Sequence, residues 1–389
     1  MSTTNKQMLF VFACAAAVTI QGCRQSTSIV QRGEPTILRC GSANVSVMPY
    51  SPNANALLSV SEGVIRRWSI SKPFRLISKS RVGCHGRSIS LSHDGALVAV
   101  PAPGPNVFVY DVLACRPRYR LPTAFDRKSS CVAFSPSGRY LATGAKHPSG
   151  GRLISLVPGI RQIETIELWD MKVVESSFPY SPPDELKDFL EFMQNAKEFA
   201  QKFQHRGELS KHTSAVYALA FSRCEKRLAT FGMHDVILWS TDDGREINKV
   251  AIEANDRSDT PNDSRSPTGM HDPRRVSHLV FHPQRQILAA SRKSICFIDE
   301  KSGKIVARFS DDGSFTFAID FSRNGKWLAS CTHLGKLRIW DVESKKMITS
   351  VQLPTLAISL SFARNDELLA CGTSAGKILV YELSQLFDL

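Results

Sequence analysis

Within the body of the 389-residue chain, no apolar run approaches the roughly 18–20 residues that a membrane-spanning helix needs. None of the ten cysteines falls in a CxxC pair or at another metal-ligand spacing. That removes the commonest zinc and dithiol arrangements. No nucleophile elbow and no HExxH zinc motif is identified. Acidic residues are in short supply, with 36 Asp and Glu against 49 Lys and Arg, so the formal charge is +13 and the pI about 9.4. Carboxylates are scattered, and no acid–base pair can be assigned from them. The excess of positive charge favours contact with something anionic; the plainer reading is solubility and weak non-specific attraction.

What is present begins with an export-like leader. The first residues read MSTTNKQMLFVFACAAAVTIQGC. Lys6 supplies a positive region, and Met8 to Ile20 is an apolar run too short to span a bilayer comfortably. This charged-then-apolar layout is that of a secretory signal peptide. Ile20-Gln21-Gly22-Cys23 resembles the lipoprotein box of bacterial envelope proteins, with Gln21 where that box has a small residue. The resemblance implies cleavage before Cys23, lipidation of Cys23 by more than one acyl chain, and stable anchoring. Residues 1–22 are then a signal peptide and 23–35 a lipidated Cys with a polar tether. The competing reading is an ordinary signal peptide cut near the alanines, with Cys23 incidental. A cytoplasmic protein with an intact N-terminus is a further alternative.

Residues 36–389 repeat one unit seven times. FSRNGKWLASCTHLGKLRIWD, from Phe321, is the clearest copy. Its anchor recurs at Tyr50, Leu91, Phe134, Phe221, Phe281 and Phe362. Each unit has an apolar strand ending at the anchor, a polar turn, a small-residue strand such as Leu328-Ala329-Ser330, and a third strand read as alternating. Intervals of about 40–45 residues are blade-sized, and the two longer ones, 134 to 221 and 221 to 281, must hold insertions. The units resemble WD repeats: Trp169-Asp170 and Trp340-Asp341 carry the signature dipeptide, and Trp68-Ser69 and Trp239-Ser240 are drifted versions. The resemblance implies an all-β, seven-bladed β-propeller. It also implies a His–Ser/Thr–Asp–Trp hydrogen-bond network that no repeat here completes. His212, Thr230 and Trp239 suit three roles in the fourth repeat. Ser330 and Trp340 suit two in the sixth, where Leu334 replaces the Asp. The strand-like segment 36–40 is expected to serve as the outer strand of the seventh blade, so that the ring closes without an unpaired edge.

Three insertions interrupt the repeats, at about 145–163, 173–211 and 253–275. The second holds an amphipathic helix over about 181–205, with Leu186, Phe189, Leu190 and Met193 on one face, widened by Phe192 and Phe199. That stripe packs on the rim or takes a partner. The third is polar and turn-rich and reads as a mobile surface loop. Four of the cysteines, Cys131, Cys296, Cys331 and Cys371, fall in strands and read as small buried hydrophobes. Gly372-Thr-Ser-Ala-Gly376-Lys377 superficially resembles a phosphate loop but sits at a hairpin turn. His278 and His282 lie four apart on a strand, with no third metal ligand evident.

The chain therefore reads as a non-catalytic scaffold in the bacterial cell envelope, facing the periplasm or exterior. It is expected to take a protein or peptide partner, without cofactor, metal, nucleic acid or evident small-molecule substrate. Candidate contacts are Arg274, Arg275, Phe192 and Phe199. Two alternatives remain. A propeller enzyme would show carboxylates or histidines converging at the central channel. A binder of anionic polymers would use the +13 charge.

Overall fold

The structure is a computed structural model. It describes residues 34–51, 56–81, 89–92, 94–101, 106–114, 116–122, 129–145, 166–172, 174, 216–232, 235–252, 278–310 and 314–387. All of these lie within one unit, Gly33–Leu389. The signal segment, Cys23, most of its tether, the helix expected over 181–205 and the loop at 253–275 lie outside the described residues.

The described chain is almost entirely strand. After β1 (Thr36–Arg39) come seven antiparallel sheets in sequence order. Blade 1 is β2 (Ser46–Ser51), β3 (Ala56–Ser61), β4 (Val64–Ser69) and β5 (Leu76–Arg81). Blade 2 is β6 (Ser90–Leu91), β7 (Leu97–Pro101), β8 (Asn106–Asp111) and β9 (Arg116–Pro122). Blade 3 has three described strands, β10 (Ser129–Phe134), β11 (Tyr140–Ala145) and β12 (Ile166–Asp170). Blade 4 is β13 (Ala218–Phe221), β14 (Arg227–Phe231), β15 (Asp235–Ser240) and β16 (Glu246–Ala251). Blade 5 is β17 (His278–Phe281), β18 (Ile287–Ser291), β19 (Ser294–Asp299) and β20 (Ile305–Ser310). Blade 6 is β21 (Thr316–Phe321), β22 (Trp327–Thr332), β23 (Lys336–Asp341) and β24 (Lys346–Gln352). Blade 7 is β25 (Ala357–Phe362), β26 (Leu368–Thr373) and β27 (Lys377–Glu382), completed by β1. The molecule is a seven-bladed β-propeller.

Each blade is a small sheet with apolar side chains on both faces, so it is stable only between two neighbours. Seven apolar clusters among the described residues fill the seven junctions, and each draws on two adjacent blades. The junction of blades 5 and 6, for example, packs Phe297 and Phe309 against Phe321 and Trp340, with the Phe309 and Trp340 rings 5.4 Å apart and edge-on. Strands β2, β6, β10, β13, β17, β21 and β25 contact one another in succession and form the inner ring.

Burial explains one departure from the sequence reading. The third strands were expected to alternate between an apolar and a polar face. Instead β15, β19, β23 and β27 are buried at four consecutive positions each. A blade covers both faces of its middle strands, so their side chains are apolar on both sides (VILW, ICFI, ILVY). Even Arg338 in β23 is 4% exposed. Alternation with solvent appears in outer strands such as β16 and β24.

The ring closes where the sequence suggested. β1 pairs antiparallel with β27, from Thr36 opposite Val380 to Arg39 opposite Lys377. Beyond the strand, Cys40 N–H donates to Gly376 O at 2.7 Å and Val45 N–H to Thr373 O at 2.9 Å. Gly376 is required here: its φ is +71°, and a Cβ would lie 1.9 Å from the Gly41 carbonyl oxygen. The last described residues form a short helix, α1 (Leu383–Phe387). Its Leu383 and Leu386 are buried in the junction of blades 6 and 7.

Candidate functional site

Three features of the described ring carry chemistry: the cross-braces inside blades, the turns that join blades, and polar groups on the inner strands.

The cross-braces are indole hydrogen bonds. Trp239 Nε1–H donates to Thr230 Oγ1, and Trp340 Nε1–H to Ser330 Oγ, each at 2.9 Å. Both pairs were read from the sequence. Blade 1 has a third that was not: Trp68 Nε1–H to Ser59 Oγ at 2.9 Å. The signal for it was in the sequence, since Ser59 stands nine residues before Trp68 as Thr230 does before Trp239. Leu334, at the position of the missing Asp, is 51% exposed and contributes nothing to the network. His212 lies outside the described residues.

First turns of several blades reach sideways to a neighbour. Glu225 accepts from the Ser137 amide and, at 2.7 Å, from the Ser137 hydroxyl. Arg223 Nη1 donates to Pro283 O at 2.9 Å. Asp366 accepts from the amides of Arg323 and Asn324 at 2.6 and 2.8 Å. Glu225 and Asp366 stand where other repeats have Gly95, Gly138 or Gly325, and they keep the left-handed backbone, φ +59° and +56°. The interblade hydrogen bonds offset that strain.

His282 belongs to this belt and not to a metal site. Its Nδ1 accepts from the amides of Gln284 and Arg285 at 3.0 and 2.8 Å, which leaves the proton on Nε2 to bond Gly325 O at 3.0 Å. Burial is the largest cause of its lowered pKa. His278 sits at the opposite end of β17, about 13 Å away at ~3.3 Å per strand residue. The two histidines are therefore not brought together. Among the described residues no three His, Cys, Asp or Glu side chains form a group able to hold a metal.

On the inner strands two titratable groups are displaced by burial. His278 is pushed down to about 4, and Asp320 up to about 7. They face different junctions. His278 pairs with Ser291 on the face of blade 5 turned to blade 6. There His278 Nδ1, Ser291 Oγ and, from the facing strand, Thr316 Oγ1 are buried without a hydrogen-bond partner in the protein. Asp320 faces blade 7 and accepts from the Phe362 amide at 2.9 Å. Ser90 does the same for the Phe134 amide one junction after blade 2. Asp320 is thus an interblade tie that matches a serine elsewhere in the ring, and the convergence expected of a channel enzyme is not formed by this pair.

The remaining motifs resolve as structure. Gly372, Ser374 and Gly376 do spell a Gly-x-Ser-x-Gly pattern, but a nucleophile elbow needs a strand-to-helix turn. Here β26 turns directly into β27, and Thr373 Oγ1 accepts from the Lys377 amide at 3.2 Å. Cys131, Cys296, Cys331 and Cys371 are buried and in no disulfide, and burial pushes the Cys331 thiol up to about 12. Of the contact residues expected from sequence, Arg274, Arg275, Phe192 and Phe199 all lie outside the described residues, as does Cys23. The described surface supplies others. Exposed apolar side chains sit on outer strands around the ring: Met347 and Ile348 on β24, Ile37 on β1, Leu76 and Ile77 on β5, and also Val306 on β20 and Ile247 on β16.

Comparison with known proteins agrees with this geometry. Residues 124–153 and 303–341 match the family described as "WD domain, G-beta repeat". An 88-residue stretch, 22% of this chain, is 27% identical to U3 small nucleolar RNA-associated protein 21 homolog of Schizosaccharomyces pombe. That stretch is 10% of the relative's length. A chain in the "Crystal Structure of Mitotic Checkpoint Complex" superposes with a TM-score of 0.64 at 15% identity, over 94% of this chain and 99% of that one. Such low identity speaks to the fold alone. Together the matches support a WD-repeat β-propeller.

Proposed function

We propose that this chain is a non-catalytic WD-repeat scaffold that presents its ring to protein or peptide partners, tethered to a bacterial envelope membrane through a lipid on Cys23. The observation that carries the scaffold reading is the apolar outer surface of blades 6, 7 and 1. Met347, Ile348, Ile37, Leu76 and Ile77 are each more than 40% exposed, on strands whose other face is anchored in a closed ring. Exposed apolar area on a rigid platform is what partner surfaces use. The neighbour of like shape was solved within a complex, which is consistent with that role. The anchoring rests on Lys6, the apolar run and the Gly22-Cys23 junction in the sequence.

The two halves are tested separately. Photo-crosslinkers placed at Ile77 and Ile348 should yield discrete adducts with partner proteins in cells, and the same crosslinkers on a ring opened at Gly376 should not. Crosslinking that is equally diffuse in both would count against a scaffold. Intact-mass analysis of membrane-associated protein should show a species beginning at Cys23 with added acyl mass, absent in Cys23→Ser. An unprocessed chain would remove the anchor and leave the scaffold reading in place.

A further inference from the structure

The positive charge is not spread evenly. From Val64 to Pro122 the sequence holds ten Lys and Arg against two Asp and Glu, so these 59 residues carry +8 of the chain's +13. They comprise the outer half of blade 1 and the whole of blade 2. Both carboxylates are occupied by their own turns. Asp94 accepts from the Ser92 hydroxyl and the Ala96 amide, and Asp111 from the Ala114 amide.

Register places several of the guanidinium groups at one junction. Ile65 on β4 packs with Val98, Val100 and Tyr110 across the junction of blades 1 and 2. Arg67, two residues on, shares that face. From the other side, Arg120 on β9 lies opposite Phe108, which packs on the same cluster. The Arg120 guanidinium carbon is 6.0 Å from the Phe108 ring centroid, and its Nε donates to Asn106 Oδ1 at 3.2 Å. Arg118 alternates with buried Tyr119 and so faces the same way as Arg120, and it is exposed. Arg67 and Arg118 have no ion pair among the described residues. In Arg67 both Nε and Nη1 are buried with no hydrogen-bond acceptor. A desolvated guanidinium without an acceptor costs stability, which an arriving carboxylate would reverse.

The edge itself narrows the partner. Pro117 and Pro122 remove amide donors from β9, which disfavours addition of a further strand. Recognition then rests on side chains. Arg118 and Arg120 are two residues apart, about 6.6 Å along a strand, which is also the spacing of alternate carboxylates in an extended peptide. No aromatic side chain is among the large exposed hydrophobics of the described residues, so the stacking platform that single-stranded nucleic acid uses is missing there. We propose that the outer end of the junction between blades 1 and 2, formed by Arg67, Arg118 and Arg120, binds an extended acidic segment of a partner protein through guanidinium–carboxylate pairs. This inference rests on the scaffold reading and adds the surface and the chemistry.

The test uses the full chain and a fluorescein-labelled peptide of alternating Glu and Gly, followed by anisotropy, with an oligothymidylate of matched charge as comparator. Arg118→Ser with Arg120→Ser should weaken peptide binding about tenfold or more, whereas Lys301→Ser with Lys304→Ser on blade 5, the same change in net charge, should alter it less than about twofold. Arg67→Met should also weaken binding while leaving thermal stability equal or higher, because it removes the unpaired buried cation. A lowered melting temperature with unchanged binding would give Arg67 a structural role and overturn its part. Equal weakening by the blade 5 control, or oligothymidylate bound as tightly as the peptide, would overturn the surface. Absence of peptide binding beside discrete crosslinks at Ile77 and Ile348 would sink this inference alone.

Discussion

At the residue scale, two partly buried groups on the inner strands pull stability in opposite directions with pH. Asp320 is raised from 3.8 to about 7 by burial. Its contribution is full below pH 4 and is lost as pH rises through 7, because the folded state then holds a desolvated carboxylate that the unfolded chain ionises freely. Asp320→Asn keeps an acceptor for the Phe362 amide without the charge. It should raise stability at pH 8 by up to about 4 kcal/mol and leave it unchanged near pH 3.5, read from denaturant midpoints at both pH values. His278 is lowered from 6.5 to about 4, so its contribution is full above 6.5 and is lost as pH falls through 4. His278→Gln should therefore flatten the loss of stability between pH 6.5 and 4, by up to about 3 kcal/mol. A variant with the parent's slope in that window would show that His278 does not titrate with folding. The indole braces offer a cleaner measurement. Trp340→Phe strands the fully buried Ser330 hydroxyl and should cost about 1–3 kcal/mol, and the double variant with Ser330→Ala should recover part of it.

At the element scale the turns matter most. The sheet strands are interchangeable in design, but the turn residues set how each blade meets the next. Gly325 has φ +71°, and a Cβ there would meet the His282 ring at 2.4 Å, so one glycine serves both its own turn and the clasp from blade 5. Gly376 plays the corresponding part at closure. Gly376→Val combines positive φ with a clash against Gly41 and should cost several kcal/mol. The expected readout is a lower melting temperature, with amide exchange accelerated first in β1 and β27. Uniform acceleration in all blades would mean that the clasp does not open ahead of the ring.

For the whole molecule, stability is shared among seven similar junctions, and only the seventh joins distant parts of the chain. Six are made by neighbours in sequence. The seventh depends on β1 covering β27 and on Ser359 Oγ–H donating to Val45 O at 2.8 Å. A chain beginning at residue 42 would expose the β27 edge, an unpaired template for another strand. It should form dimers or larger species on size exclusion with light scattering, where the full chain is expected to run at a smaller size. A truncated chain that elutes and melts like the full one would show that six junctions and α1 suffice.

Much of this was legible in the sequence, for a physical reason. A blade is a local object: its strands are contiguous, its turns are marked by polar residues and glycine, and its aromatic anchor recurs at a fixed interval. Seven copies in phase, with a spare strand before the first, already specify a closed ring, as Thr36–Arg39 on β27 shows. Pairs nine or ten residues apart, such as Thr230 with Trp239, are equally local. What tertiary structure decided is everything that depends on the neighbouring blade. The face that a middle-strand side chain meets is covered by a blade some forty residues away, so the double burial of β23 and the burial of Arg338 were not visible as alternation. The reach of Glu225 to Ser137, the commitment of His282 to Gly325, and the turning of Arg67 and Arg120 toward one junction likewise follow from radial stacking. Sequence set the repeat and closed the circle; packing between blades chose which charged and polar groups would face each other.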